Sequence, residues 1–308
     1  MKNLLDIEHL SAENIEEILE RSAFFKKALE AKQSCTEVLA GKVILNMFFE
    51  NSTRTLTSFQ MAAYRLGASV INWDASTSSV SKGENLLDTL KCVAGYEFDA
   101  VVVRHSEFKA PYTVQRLVNC PVVNAGDSWR AHPSQALLDA FTMKELKGGL
   151  NGLKVAICGD VAHSRVANSN VELLGKMGAK INIVAPENLL PDMSKHDHVE
   201  TFKSLEEGLV DCDVVMMLRN QKERMESADV PDDTEFFHSY GLTQERLSIA
   251  KPGAIVLHPG PMNRNVEIAD DVADDPVKSK IFHQMANGLP TRMAIFEYVM
   301  ADKIGGER

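Results

Sequence analysis

Lys42-Val43-Ile44-Leu45-Asn46-Met47, running straight into Phe48-Phe49-Glu50-Asn51-Ser52-Thr53-Arg54-Thr55-Leu56-Thr57-Ser58-Phe59, is the stretch on which the fold turns. Its first part is short, apolar and bounded by Gly41, the pattern of a buried strand; beyond it Phe59, Ala62, Ala63 and Leu66 recur at helical spacing. A strand therefore gives way to a helix at Ser52-Thr53-Arg54-Thr55. Three hydroxyls, one guanidinium and the open backbone N–H groups of a helix N-terminus converge there, the components of a phosphate or carboxylate site. A Ser or Thr that merely caps the helix explains one hydroxyl but not a cluster with an arginine inside it, so anion binding is the stronger reading.

Outward from this stretch, strand-like and helical segments alternate. A helix over residues 13 to 30, with Ser11 as its cap, precedes the strand at 42 to 48 and the helix at 53 to 66. Strands follow at 68 to 73, 99 to 104 and 121 to 126, with helices at 83 to 95 and 111 to 118 between them. This is the βα alternation of a parallel sheet with helices on both faces. After a helix at 134 to 147 that ends in Gly148-Gly149, the pattern restarts, with strands at 154 to 158, 180 to 185, 214 to 219 and 254 to 258. The expectation is an α/β chain of two mainly parallel-sheet domains, 1–134 and 135–289, with a C-terminal helix in 290–308, strongest from about 291 to 301, packing back on the first. A length of 308 residues supports two cores rather than one.

The formal net charge of −10 argues against a nucleic-acid or membrane-surface binder, both of which need a basic footprint. Acidic residues at Asp6 and Glu8 come too early for a secretory signal, and no apolar run reaches membrane-spanning length, so a cytoplasmic location is expected. Cys35, Cys92, Cys120, Cys158 and Cys212 are scattered without a CxxC pair and read as small apolar fillers, with neither disulfides nor a metal expected.

Ligands of open α/β sheets collect beyond the carboxyl ends of the strands. The residues there are Ser52-Thr53-Arg54-Thr55, Arg104-His105, His132-Pro133-Ser134-Gln135, His163-Ser164-Arg165, Arg219-Asn220-Gln221-Lys222 and His258-Pro259-Gly260-Pro261. Taken singly, Arg104 or Arg219 reads as a solvated rim residue and His258-Pro259-Gly260-Pro261 as a rigid turn. Six such groups in an acidic chain point to a site for strongly anionic ligands. Val155-Ala156-Ile157-Cys158-Gly159-Asp160 has the look of a first dinucleotide-binding strand, but Val161-Ala162-His163 follows where further glycines are needed, so no NAD or other cofactor is expected.

Together with Phe49-Glu50, Ser78-Ser79-Val80-Ser81-Lys82-Gly83-Glu84 and Met262-Asn263-Arg264, these motifs resemble, in order and spacing, the catalytic chain of the aspartate carbamoyltransferases over essentially the full length. The ornithine-specific relatives are expected to carry His-Cys-Leu-Pro in place of His258-Pro259-Gly260-Pro261 and to lack the Arg219-x-Gln221 pair. The resemblance implies transfer of the carbamoyl group of carbamoyl phosphate to the amine of L-aspartate, in pyrimidine biosynthesis. It implies carbamoyl phosphate on Ser52, Thr53, Arg54, Thr55, Ser78, Arg104, His132, Gln135, Gly260 and Pro261, and aspartate on Lys82, Arg165, Arg219 and Gln221. Arg54, Thr55, Lys82, Arg104 and His132 are the implied catalytic groups, with His132 a hydrogen-bond donor rather than a base and the leaving phosphate taking the amine's proton. It also implies a homotrimer in which Ser78 and Lys82 enter the neighbouring subunit's site, although alone their segment reads as a flexible loop with a solvated lysine. A regulatory chain or a dihydroorotase partner is left open, as are two other readings, a carbamoyltransferase for another amino acid such as ornithine and a non-catalytic anion binder. Leu56 and Gln60 stand where the family often has an Arg and Glu pair, and Asn265 where it often has Gly; Asn tolerates positive φ, so that turn is expected to survive.

Overall fold

The apolar runs form two separate parallel sheets. The computed structural model describes residues 1–74, 86–221 and 232–304. The chain divides into one unit made of Met1–Phe141 with Asn287–Arg308 and a second made of Thr142–Ala286.

In the first unit, α1 (Ala12–Glu30) is capped by Ser11, whose side chain accepts from the Asn14 N–H. Strands β1 (Val43–Phe48), β2 (Ser69–Asp74), β3 (Ala100–His105) and β4 (Val122–Asp127) pair in the order β2-β1-β3-β4, all parallel. Leu45, Met47, Val101, Val103 and Val122 point to one side, where Leu90 of α3 (Leu86–Ala94) and Val114 of α4 (Ala110–Gln115) join them in one buried cluster. Helix α2 (Thr53–Arg65) packs on β1 and β2. Its Phe59, Ala62 and Ala63 are fully buried, and Phe59 meets Phe296 edge to face at 5.7 Å. Burying Phe59 contributes roughly 2–3 kcal/mol.

In the second unit, β5 (Lys154–Gly159), β6 (Lys180–Val184), β7 (Val199–Phe202), β8 (Val214–Leu218) and β9 (Ile255–Leu257) pair in the order β7-β6-β5-β8-β9, again all parallel. Ala156, Cys158, Val215, Met217 and Val256 share a core with Leu205 of α7 (Leu205–Gly208), Leu247 of α9 (Gln244–Leu247) and Val272 of α10 (Asp270–Ala273), with Phe237 of α8 (Asp233–Tyr240) packed against it. Val155, Ile157, Val214 and Met216, which point the other way, are equally buried, so both faces are covered.

Helices α5 (Pro133–Lys147) and α11 (Ile281–Val299) each run from one unit's residues into the other's. Helix α11 thus begins ten residues before the expected 291, and it carries Pro290 inside it. Proline is expected at a helix start, which is why the residues after it looked like the beginning. Strand β7 was not expected; its burial pattern is half-exposed throughout, so it lacks the apolar run that marks the other strands. Cys35, Cys120, Cys158 and Cys212 are buried as fillers are, whereas Cys92 is exposed and corrects that reading. Among the described residues no helix is long and apolar enough to cross a membrane.

Candidate functional site

Strand order reverses between β1 and β3 in the first sheet and between β5 and β8 in the second, and the crevices beyond those strand ends are where such sheets bind ligands. In the first unit β1 leads to Ser52, the residue before α2. Ser52 adopts an extended conformation (φ −158°, ψ 91°) and its hydroxyl makes no capping bond. It donates instead to Thr55 Oγ1 at 2.9 Å. Capping therefore does not account for this serine, and the first-turn N–H groups keep no side-chain cap. Thr55 is buried while Thr53 and Arg54 are exposed, so a hydroxyl pair stands beside an accessible guanidinium at the positive end of a helix dipole.

Arg104, near the end of β3, is registered against Phe48 of β1. Its side chain is 12% exposed, donates from Nη1 to the Ala125 carbonyl at 3.1 Å and lies 3.5 Å from Glu50. That is a held guanidinium and not a solvated rim residue. His105 meets Phe49 in a tilted ring contact at 4.4 Å, and burial pulls its pKa below the usual histidine value. Beyond β4, Arg130 pairs in two bonds with the fully buried Asp127 and also reaches Asp6, fixing the turn that delivers His132. His132 is 5% exposed, with Nδ1 3.4 Å from Ser134 Oγ, and Gln135 follows in the first turn of α5. Asp6, Glu8 and His9 approach within 4.8 Å of one another, but Asp6 is already engaged by His9, Tyr112 and Arg130.

In the second unit the crevice forms where β5 meets β8. Gly159 has φ 117° and a Cβ there would lie 2.5 Å from the Leu218 carbonyl oxygen, so only glycine permits the two strand ends to approach this closely. The next residue, Asp160, is fully buried and joins both sides of the crevice. Its Oδ1 is 2.8 Å from His163 Nδ1, and its Oδ2 accepts from the Gln221 backbone N–H at 3.0 Å. Gln221 Nε2 then donates to the His163 carbonyl at 3.1 Å. Ser164 caps α6 (Arg165–Lys176), placing Arg165 at its first position, and Arg219 and Gln221 come off β8. One buried carboxylate thus ties the segment carrying Arg165 to the segment carrying Arg219.

After β9, His258 is fully buried. Its Nδ1 accepts from the Gly260 N–H at 2.9 Å, which leaves the proton on Nε2, and Nε2 donates to Glu267 Oε1 at 3.0 Å. Glu267 also accepts from the Asn263 N–H, and Gln284 accepts from the His258 N–H. Gly260 and Pro261, joined by a cis peptide, are carried on this scaffold. Asn265 takes φ 59°, the left-handed conformation anticipated for it. Ser78 and Lys82 lie outside the described residues.

Sequence reasoning missed Asp160 and Glu267 as organisers of these loops. Their signal was weak: each is a lone acid whose partners are backbone N–H groups and histidines, and only Asp160, directly after a strand-ending glycine, sits where a loop organiser is commonly found.

Comparison with known proteins bears on the same two halves. The family model described as aspartate/ornithine carbamoyltransferase, carbamoyl-P binding domain, matches residues 2–145, and the companion Asp/Orn binding domain matches residues 151–299. The aspartate carbamoyltransferase catalytic subunit of Agrobacterium fabrum is 48% identical over 100% of this chain and 98% of its own. Aspartate transcarbamoylase from Trypanosoma cruzi, solved in complex with carbamoyl phosphate and aspartate, is 30% identical with a TM-score of 0.89, covering 97% of this chain and 96% of that one. Ornithine carbamoyltransferase from Pyrococcus furiosus is similar at 28% identity and a TM-score of 0.89, over 97% of each chain. Full-length matches to both domain models and to relatives near half identity lead to one conclusion, that the chain belongs to the aspartate/ornithine carbamoyltransferase family.

Proposed function

We propose that the protein transfers the carbamoyl group of carbamoyl phosphate to the amine of L-aspartate, releasing phosphate and N-carbamoyl-L-aspartate. The observation that carries the choice of acceptor is the buried Asp160, which ties the Arg165 segment to the Arg219–Gln221 segment. Two guanidiniums suit an amino acid with two carboxylates, each taken as a bidentate pair. Ornithine offers one carboxylate and a cation, for which two arginines are a poor match.

The first unit is read as the carbamoyl-phosphate-binding domain. There the phosphate is received by the Ser52–Thr55 hydroxyls, Arg54 and the open N–H groups of α2, with Arg104 beside it. Thr55, Arg104 and His132 direct donors at the carbamoyl oxygen, where negative charge grows as the amine attacks, and preorganised donors at that point are the large term in acyl transfer. Gln135 and the Gly260–Pro261 backbone take the carbamoyl NH₂. The departing phosphate takes the amine's proton.

The test is direct: incubate the purified chain with carbamoyl phosphate and, separately, aspartate and ornithine, then measure ureido product. Product from aspartate is expected; a preference for ornithine, or no product from either, would overturn the proposal. We further infer a homotrimer in which Ser78 and Lys82 serve the neighbouring subunit's site. Mixing inactive Lys82→Ala chains with inactive Arg54→Ala chains is then expected to restore part of the activity through hybrid sites, since some sites receive both native residues. A mixture as inactive as its parents would exclude shared sites.

A further inference from the structure

The first unit contains a buried polar chain that the substrate contacts above do not use. Asp139, one helical turn beyond Gln135 on α5, is fully buried and accepts from Gln135 Nε2 at 2.8 Å. Arg292, on the part of α11 that belongs to the same unit, experiences the charge of Asp139 and donates from Nη1 to Ser58 Oγ at 3.0 Å. Ser58 sits one turn beyond Arg54 on α2. Arg292 also lies over the Phe59 ring at 4.9 Å. Burial pulls its pKa down to about 10 and the Asp139 carboxylate works against that fall. A guanidinium this deep needs a nearby anion, and Asp139 supplies it.

The consequence for Gln135 follows from its donor and acceptor inventory. An amide side chain presents either its NH₂ or its carbonyl to a ligand, according to how it is turned, whereas an ionised carboxylate can only accept. Facing Asp139, Gln135 must turn its NH₂ inward, which commits Oε1 to the other side as an acceptor. A carbamoyl group carries an NH₂ that donates to such an acceptor. An acetyl group of nearly the same shape offers a methyl and leaves the acceptor unpaired, a mismatch that sites built for an N–H reject strongly.

Building on the carbamoyl-transfer reading, we propose that Asp139 is a positioning residue that locks Gln135 as an acceptor and thereby selects a carbamoyl over an acetyl phosphate. Asp139 touches neither substrate, and its effect passes through Gln135. Arg292 itself bonds to α2 through Ser58 and feels the Asp139 charge.

The test compares Asp139→Asn, Asp139→Glu, Gln135→Met and the double variant Asp139→Asn/Gln135→Met. Two quantities are read: KM for carbamoyl phosphate and the inhibition constant of acetyl phosphate against it. Asp139→Asn, whose amide can turn either its oxygen or its NH₂ towards Gln135 and so releases the lock, is expected to raise KM for carbamoyl phosphate severalfold, up to about tenfold, the scale of one hydrogen bond. The acetyl phosphate inhibition constant is expected to stay within about twofold, because its phosphate contacts are untouched. Asp139→Glu, which like Asp139 can only accept, recovers part of the loss, and the double variant is no worse than Gln135→Met. The proposal is overturned if both constants rise together, if neither moves, or if the two substitutions add. Should Asp139→Asn fail to fold, Gln135→Met decides: it is expected to lose the carbamoyl preference, and an unchanged preference overturns the proposal. A protein that makes no ureido product would instead overturn the underlying reaction, which keeps the two failures distinct.

Discussion

Arg54→Ala is expected to lower kcat about a thousandfold while shifting the melting temperature by no more than about 2 °C. The asymmetry comes from where Arg54 sits. It is exposed in the first turn of α2, while the residues that hold that helix to the sheet, Phe59, Ala62 and Ala63, are fully buried further along. Substitution of an exposed residue away from packing changes stability by about 0.5 kcal/mol or less. The chemistry loses much more. As the carbamoyl–phosphate bond breaks, charge builds on the leaving phosphate, and a guanidinium that meets it with two parallel bonds acts mainly in the transition state. Steady-state kinetics with both substrates varied, run beside thermal melting, checks both parts. A kcat within tenfold of the parent would remove Arg54 from the leaving-group contacts, and a large drop in melting temperature would make its role structural.

Glu267→Ala is expected to produce the opposite pattern, a loss of about 3–5 kcal/mol of stability in the second unit. Glu267 and His258 are both fully buried, and one carboxylate oxygen serves the imidazole Nε2–H and the Asn263 N–H together. Alanine leaves the buried imidazole N–H and the part-buried Asn263 N–H without this acceptor and opens a cavity beside them. Because the imidazole is neutral, held as the Nε2–H tautomer by the Gly260 N–H at Nδ1, the loss is one of hydrogen bonding rather than of an ion pair. Glu267→Gln keeps an acceptor oxygen and is expected to lose only about 1–2 kcal/mol. Denaturation of the three proteins in urea orders them; equal stability of the alanine variant and the parent would show that Glu267 is dispensable to the loop after β9.

The sheet strands were readable because they are buried on both faces and so spell out continuous apolar runs, such as Val101-Val102-Val103 and Val214-Val215-Met216-Met217. Strand β7 was hidden because it lies at a sheet edge and buries none of its four residues fully. The first half of α11 was hidden by Pro290, a residue that normally opens a helix. The candidate groups for anionic ligands stand out in the sequence as local clusters of hydroxyls, arginines and histidines after strand ends. Their supports do not. Asp139, Asp160 and Glu267 are single acids in ordinary sequence, and what makes them organisers is full burial beside partners that the pattern of neighbouring residues does not reveal.

The first unit is discontinuous: Met1–Phe141 needs Asn287–Arg308 to complete it, through the Phe59–Phe296 contact, the Arg21–Glu297 pair at 2.6 Å and the Arg292–Ser58 bond. A ribosome makes the chain from the N-terminus at roughly 5–20 residues per second, so the unit whose sheet is synthesised first is the last to be finished. Until residues 287–304 emerge, α2 lacks the aromatic and the guanidinium that seat its apolar face. The second unit, by contrast, is one uninterrupted segment and has all its residues beforehand. Helix α2 therefore acquires these partners only after the whole of the second unit has been made, so chains truncated before residue 287 lack the aromatic and the guanidinium that seat it.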